Sequence, residues 1–130
     1  MDGPAHLILY VADQAVATEF WRAVLARPPV LDVPGMTEFA LAPHAVLGLM
    51  PDSGIVALLG SALPDPTQAR GVPRAELYLV VDDALGYHTR ALAAGATELS
   101  PMVQRDWGDA AAYSLDLDGH VIAFATRSKS

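Results

Sequence analysis

The stretch "ELYLVVDDALGYHTRALAAGA" at residues 76–96 decides the fold, because it repeats a pattern that is already present at residues 6–27. In each copy an apolar, β-prone run leads to an aspartate, Asp13 or Asp83, and apolar residues then recur at helical spacing. The second copy closes with Gly95, a residue type that commonly ends a helix. The chain therefore contains one strand-and-helix unit twice, which indicates an internal duplication.

Three short strand candidates follow each helix and are separated by turn residues. They are "PVLDV", "MTEFALA" and "AVLGLM" in the first copy, and "TELSPMV", "AAAYSLD" and "HVIAFAT" in the second. We predict a single α+β domain over residues 1–130, made of two βαβββ modules, about residues 5–51 and 75–127, and a connector at 52–74. Because neither module buries its own sheet, the two are expected to form one curved mixed sheet, a half-barrel with the helices outside.

The composition restricts the kind of site that this domain carries. An apolar fraction of 52% supports a core, and the absence of cysteine excludes disulfides, thiolate metal sites and a cysteine nucleophile. The net charge of −7 repels phosphate backbones and anionic lipid, and it favours a cationic ligand through a field that salt screens. The first residues do not resemble a secretory leader, so we expect a cytoplasmic protein without direct nucleic-acid or membrane partners.

The last predicted hairpin carries the most specific motif of the chain. "WGDAAAYSLDLDGHVIAFA" at residues 107–125 places an acidic glycine turn between two apolar runs, a pattern that favours a β-hairpin. Together with the duplicated module, this motif resembles the vicinal oxygen chelate superfamily of glyoxalases, extradiol dioxygenases, and fosfomycin- and bleomycin-resistance proteins. The resemblance covers nearly the whole chain and is strongest to the bleomycin-resistance branch. It implies the glyoxalase/bleomycin resistance fold, usually in a homodimer whose paired modules line each site.

The resemblance also indicates four positions at which metal-dependent members of the superfamily carry their ligands. In this sequence these positions fall on His6, Gly48, Glu76 and Ala123. Gly48 and Ala123 have no donor atom, so only His6 and Glu76 would bind a metal, whereas a stable divalent site needs a third or fourth ligand. We therefore expect no metal, no other cofactor and no catalytic residues.

No other catalytic or phosphate-binding motif is present in the sequence. There is no serine nucleophile elbow, no glycine-rich phosphate loop and no basic cluster. Arginines of the loops, Arg105 among them, are expected to be solvated. The remaining histidines, His44, His88 and His120, are expected to lie in turns or on the second helix, away from the pocket.

Strand alternation predicts which residues line that pocket. If His6 and Glu76 face inward, Tyr10, Tyr78 and Ala123 share their face, and Met50 follows from Gly48 by the same parity. Trp107 lies in the glycine-bounded loop that leads to the last hairpin, whereas Phe20 and Trp21 of the first helix are expected in the core. The predicted ligand-binding residues are His6, Tyr10, Met50, Glu76, Tyr78, Trp107, Tyr113 and Ala123.

An aromatic pocket without a metal favours binding over catalysis. We expect a protein that sequesters a bulky aromatic or peptide antibiotic, bleomycin-like or quinoxaline-type, and so gives self-resistance, as the metal-independent bleomycin-resistance branch does. The alternative is a metal-dependent glyoxalase-like lyase or dioxygenase that uses His6 and Glu76. A third interpretation is an accessory protein of a biosynthetic cluster with no ligand of its own.

Overall fold

The helices and strands follow the predicted order in a computed structural model that describes residues 2–127. The first module contains β1 (Ala5–Val11), α1 (Gln14–Leu25), β2 (Leu31–Val33), β3 (Met36–Ala42) and β4 (Ala45–Pro51). The second module contains β5 (Glu76–Val80), α3 (Ala84–Ala93), β6 (Thr97–Gln104), β7 (Asp109–Leu115) and β8 (Val121–Arg127). The predicted α+β fold class is confirmed.

The connector between the modules contains helical structure of its own. Helix α2 (Asp52–Leu59) follows β4 directly and buries Ile55, and two 3₁₀ turns lie at Gly60–Ala62 and Pro66–Ala69. A salt bridge between Arg70 and Asp52 ties the end of the connector to the start of α2. No helix within residues 2–127 has the length and apolarity needed to span a membrane.

Each module forms its own four-stranded mixed sheet. The strand orders are β1-β4-β3-β2 and β5-β8-β7-β6, and in each sheet the first-named pair is parallel while the other pairs are antiparallel. The chain divides into two compact units. The first comprises the described residues up to Arg22 together with Ala26–Arg70, and the second comprises Ala23–Leu25 and the described residues from Gly71 onward.

In the first unit, helix α1 lies against one face of its sheet. Asp13 caps the helix, because its carboxylate accepts a hydrogen bond from the Val16 N–H at 3.1 Å. The Thr18 hydroxyl meets the Thr37 hydroxyl of β3 at 2.9 Å, which identifies the covered face of the sheet. Strand alternation puts Phe39, Leu47 and Leu49 on that face, and all three are fully buried. Phe20 and Trp21 are also buried, as predicted for core residues.

In the second unit, helix α3 covers its sheet in the same way. Asp83 caps this helix by accepting from the Gly86 N–H, and the chain leaves it through Gly95, whose φ of 113° favours glycine. The ring of Tyr87 packs 5.3 Å from that of Phe124, which is fully buried on β8. The two aspartates that the sequence places between strand and helix therefore have the same capping role in both modules.

Candidate functional site

The face of the first sheet opposite α1, called here the first open face, carries three of the predicted residues. In the parallel pair β1–β4, His6 is opposite Val46, Ile8 is opposite Gly48, and Tyr10 is opposite Met50. Residues directly opposite each other share a face of the sheet, so His6, Tyr10 and Met50 lie together there. Ile8 and Tyr10 keep 38% and 36% of their surface exposed, so this face is open and largely apolar.

His6 has a carboxylate neighbour on this face that the sequence did not suggest. Its Nδ1 lies 3.4 Å from Oε2 of Glu38, although β4 separates β1 from β3. Glu38 is directly opposite Gly48, which has no side chain to fill the space between the outer strands. A Cβ at residue 48 would lie 3.0 Å from Ile8 Cγ1 and 3.3 Å from Met36 Sδ, so side chains already converge over this glycine.

The face of the second sheet opposite α3, the second open face, carries four more of the predicted residues. Glu76 is opposite Val121 and Tyr78 is opposite Ala123, and Ala123 is also opposite Tyr113 of β7. Ala123 is fully buried between two half-buried tyrosines, while Glu76 is exposed. The small side chain of Ala123 therefore lies between the two tyrosines on this face of the sheet.

Trp107 joins this face through a chain of hydrogen bonds at the turn between β6 and β7. Its indole Nε1–H donates to the Tyr78 hydroxyl at 2.9 Å, and that hydroxyl donates to Oδ2 of Asp109 at 2.5 Å. Asp109 is only 4% exposed, and its other oxygen lies 3.5 Å from Arg127 Nε. Burial raises the pKa of Tyr78 above its ordinary value, and the hydrogen bond to Asp109 raises it further, so the phenol stays protonated.

Arg105 occupies the same face beside Tyr113 and is not the solvated loop charge that we expected from the sequence. Its guanidinium lies over the Tyr113 ring, with Cζ 5.0 Å from the ring centroid. Nε and Nη2 both donate to the Ala111 carbonyl, at 3.2 and 2.9 Å, which fixes the group in place. Burial and the charge of Glu76 raise the pKa of Tyr113, while the charge of Arg105 opposes them.

The donor groups do not fit the divalent metal that the resemblance to the superfamily implies. Within residues 2–127 no group of three or more histidine, aspartate or glutamate side chains is placed to hold a metal ion. His6 has Glu38 beside it, but Gly48 and Ala123 provide no ligand atom, and two protein ligands are too few to fix a metal's geometry.

The other histidines lie outside the two open faces, and two of them have carboxylate partners. His88 is buried on α3, with Nε2 at 2.8 Å from Glu98 Oε2, and Glu98 lies on the covered side of its sheet. His120 Nδ1 lies 2.8 Å from Asp116 Oδ2 within the last hairpin turn. His44 is exposed in the turn between β3 and β4.

One cavity of about 490 Å³ lies on the first unit away from all eight predicted residues. It is found at the start of α1 beside β2, where it is lined by Asp13, Gln14, Thr18, Glu19, Asp32 and Val33. The Gln14 side chain already bonds the Val33 carbonyl at 2.8 Å, the Thr37 hydroxyl at 2.9 Å and the Gly35 N–H at 2.9 Å. These bonds attach the helix to the β2–β3 hairpin, which is a structural role.

The structure thus separates the predicted residues into two groups. His6, Tyr10 and Met50 belong to the first unit, whereas Glu76, Tyr78, Trp107, Tyr113 and Ala123 belong to the second. Glu38 and Asp109 were not predicted from the sequence as site residues, and Arg105 was predicted only as a solvated charge. Asp109 is part of the quoted "WGD" motif, but a motif does not show that its carboxylate is buried against a tyrosine.

Comparison with known proteins agrees with the duplicated fold. A family model described as a glyoxalase-like domain matches residues 6–125. The chain belongs to this glyoxalase-like family. Its membership of the vicinal oxygen chelate superfamily is thereby confirmed, while the bleomycin-resistance branch stays a prediction. No curated protein matches the chain.

Several solved structures share the glyoxalase-like fold at low sequence identity. A glyoxalase-related enzyme from Fulvimarina pelagi is 21% identical, with a TM-score of 0.80 over 98% of this chain and 89% of that one. A glyoxalase/bleomycin resistance protein/dioxygenase family enzyme from Burkholderia phytofirmans PsJN is 16% identical, with a TM-score of 0.78 over 94% and 96% of the two chains. A protein from Agrobacterium tumefaciens is 24% identical, with a TM-score of 0.74 over 99% and 100%. At these identities the likeness shows the fold alone.

Proposed function

We propose that this glyoxalase-like protein binds, without a metal, a bulky aromatic or peptide antibiotic of the bleomycin-like or quinoxaline type, and gives self-resistance by sequestering it. The hydrogen bond from Trp107 to Tyr78 carries the proposal. It holds an indole that is 59% exposed beside the tyrosines of the second open face. An exposed, oriented tryptophan of this kind is a typical contact for a flat ligand.

The second open face has the features that stacking requires. Tyr78 and Tyr113 are both directly opposite Ala123, and the Arg105 guanidinium lies over the Tyr113 ring. Each aromatic contact adds about 0.5–1.5 kcal/mol beyond the apolar area that it buries. Three rings on one face would therefore add about 1.5–4.5 kcal/mol to the binding of a planar ligand without metal chemistry.

The proposal includes a cytoplasmic homodimer. The homodimer is supported by β1, which is an edge strand. Leu7 and Ile8 of this strand keep 39% and 38% of their surface exposed. An apolar edge strand is commonly covered by another chain. Sedimentation equilibrium should give twice the monomer mass, and a monomer at micromolar concentration would contradict this part.

A fluorescence titration tests the binding function directly. Only two tryptophans are present, and Trp21 is 1% exposed, so a ligand on the second open face should alter the emission of Trp107 alone. We expect a saturable change with a bleomycin-type glycopeptide or a quinoxaline peptide, and its loss in Trp107→Phe. Absence of a saturable change with both ligand classes would contradict the proposal.

Metal analysis distinguishes the proposal from a metal-dependent lyase or dioxygenase. Protein purified without chelator should contain far less than one equivalent of Ni, Zn, Mn or Fe, since the described donors do not form a site. A near-stoichiometric metal that is lost in His6→Ala would favour the enzyme instead.

A further inference from the structure

Several hydrogen bonds hold the guanidinium of Arg105 in a fixed position. Nη2 donates to the Ala111 carbonyl at 2.9 Å and to the Ser100 hydroxyl at 2.6 Å, with a longer contact to the Pro101 carbonyl at 3.4 Å. Nε shares the Ala111 carbonyl. These contacts fasten the end of β6 to β7, and they fix the guanidinium over Tyr113.

All of these acceptors are neutral groups. None of the salt bridges formed within residues 2–127 includes Arg105. Asp109 is only four residues further along the chain, but its carboxylate contacts Tyr78 and Arg127 instead. Arg105 is therefore half-buried beside an aromatic face and forms no salt bridge among the described residues, so an anionic ligand would meet no competing carboxylate at this group.

The guanidinium also keeps donors that the hairpin does not use. Its bonds come from Nε and Nη2, and Nη1 donates to no acceptor within residues 2–127. Nη1 is not among the buried polar atoms that lack a partner, so its two N–H groups are accessible to water and to a ligand. A carboxylate is the group that a fixed guanidinium binds best, because both are planar and oppositely charged.

We propose that Arg105 is the anion-binding residue of the second open face, and that this face also binds an aromatic carboxylate. This inference goes beyond the proposed function, because it assigns a further class of ligand to the same aromatic site. The ring of the ligand lies against Tyr78, Tyr113 and Trp107, and its carboxylate receives hydrogen bonds from Nη1 of Arg105. Glu76, whose charge reaches Tyr113, disfavours a carboxylate on its own side of the face and so helps to orient the ligand.

Matched probes separate the charge from the aromatic ring. Naphthoate and naphthamide have the same ring and nearly the same shape, but only naphthoate is an anion at neutral pH. Wild-type protein titrated with each, followed by Trp107 emission, should bind naphthoate about 10-fold or more tightly than naphthamide, which is the usual strength of a charge-assisted contact. This comparison needs no mutation, so it does not depend on how any variant folds.

Variants then assign the preference to Arg105. Arg105→Gln should abolish the preference for naphthoate, and Arg105→Lys should keep only part of it, because an ammonium group lacks the planar pair of donors. Glu76→Gln should strengthen naphthoate binding and leave naphthamide binding unchanged. Arg22→Gln removes the same charge from an exposed helix position in the first unit and serves as the control, with circular dichroism used to check folding.

The possible results identify which idea fails. If both probes bind wild-type protein equally, the carboxylate inference is wrong while the aromatic site stands. If naphthoate binds through Arg105 but neither antibiotic class binds, the proposed function fails and the inference survives. If the preference persists in Arg105→Gln, or if neither probe binds at all, Arg105 is not an anion-binding residue and the inference is wrong.

Discussion

The two sheets of this protein are alike on the face that a helix covers and different on the other face. Both covered faces carry a fully buried phenylalanine, Phe39 in the first unit and Phe124 in the second. The first open face has methionine side chains, Ile8, Tyr10 and a histidine beside a glutamate. The second open face has Trp107 and two tyrosines, together with a buried aspartate and an arginine that hydrogen bonds hold in place. Packing against a helix therefore requires buried apolar residues on one face of both sheets. The open faces have no such requirement in common, and their residues differ.

The difference between the open faces is visible at Gly48 and Ala123, two of the positions at which the superfamily resemblance implies metal ligands. Gly48 and Ala123 correspond in the duplicated pattern, being opposite Ile8 and Tyr78. At the glycine, side chains from both neighbouring strands converge over the backbone, while at the alanine two tyrosines stand on either side. The corresponding small residues thus lie in a crowded surface in one copy and between two tyrosines in the other.

The largest predicted effect tests the likeness of the covered faces. Phe39→Ala and Phe124→Ala each remove a fully buried ring, and each should lower the free energy of unfolding by about 3–5 kcal/mol. Urea denaturation of the two variants measures this. A loss at one position that is under half of the loss at the other would contradict the equivalence of the two cores.

Removing a buried hydroxyl should change the free energy of unfolding differently on the two covered faces, and by less than removing a phenylalanine ring. Thr37 bonds both Gln14 and Thr18, so Thr37→Val should lower the free energy of unfolding by about 1–3 kcal/mol. The Ser114 hydroxyl is buried and has no hydrogen-bond partner within the described residues, so Ser114→Ala should change stability little or increase it. A clear loss of stability in Ser114→Ala would show that its hydroxyl is satisfied in solution.

A methyl group at Gly48 tests whether the first open face is filled. The new Cβ would meet Ile8 Cγ1 at 3.0 Å, so Gly48→Ala should lower the free energy of unfolding by about 1 kcal/mol. Gly54→Ala is the control, because its Cβ would meet Met50 Cγ at an ordinary 3.6 Å and alanine favours the helix there. The midpoint temperature of thermal unfolding should therefore fall in Gly48→Ala and rise in Gly54→Ala.

The smallest predicted effect concerns pH and belongs to the second open face. Folding raises the pKa of Tyr78 and of Tyr113, so both contribute stability that is present below about pH 10 and lost as the pH rises above it. The thermal midpoint should fall in this alkaline range, and it should fall less steeply in Tyr78→Phe. Equal slopes for wild type and variant would contradict the raised pKa of Tyr78.

The sequence predicted the fold and the faces better than it predicted the contacts. Alternation along the strands placed Tyr78 and Ala123 side by side, and helical spacing placed Trp21 in the core, because both follow from local periodicity. The pairing of His6 with Glu38 depends on three strands that are distant in sequence, so no local pattern indicates it. The net charge likewise predicted a cationic ligand, but it did not indicate that the aromatic site has the guanidinium of Arg105 beside Tyr113.

The most direct test of the central claim compares one aromatic residue from each open face. Tyr10→Ala and Trp107→Ala each remove an exposed ring, and the dissociation constant of the bound antibiotic is measured by calorimetry for both. If the second open face holds the ligand, Trp107→Ala should weaken binding about 10-fold or more, and Tyr10→Ala should change it less than about twofold. Equal losses, or a greater loss in Tyr10→Ala, would contradict the assignment of the ligand to the second open face.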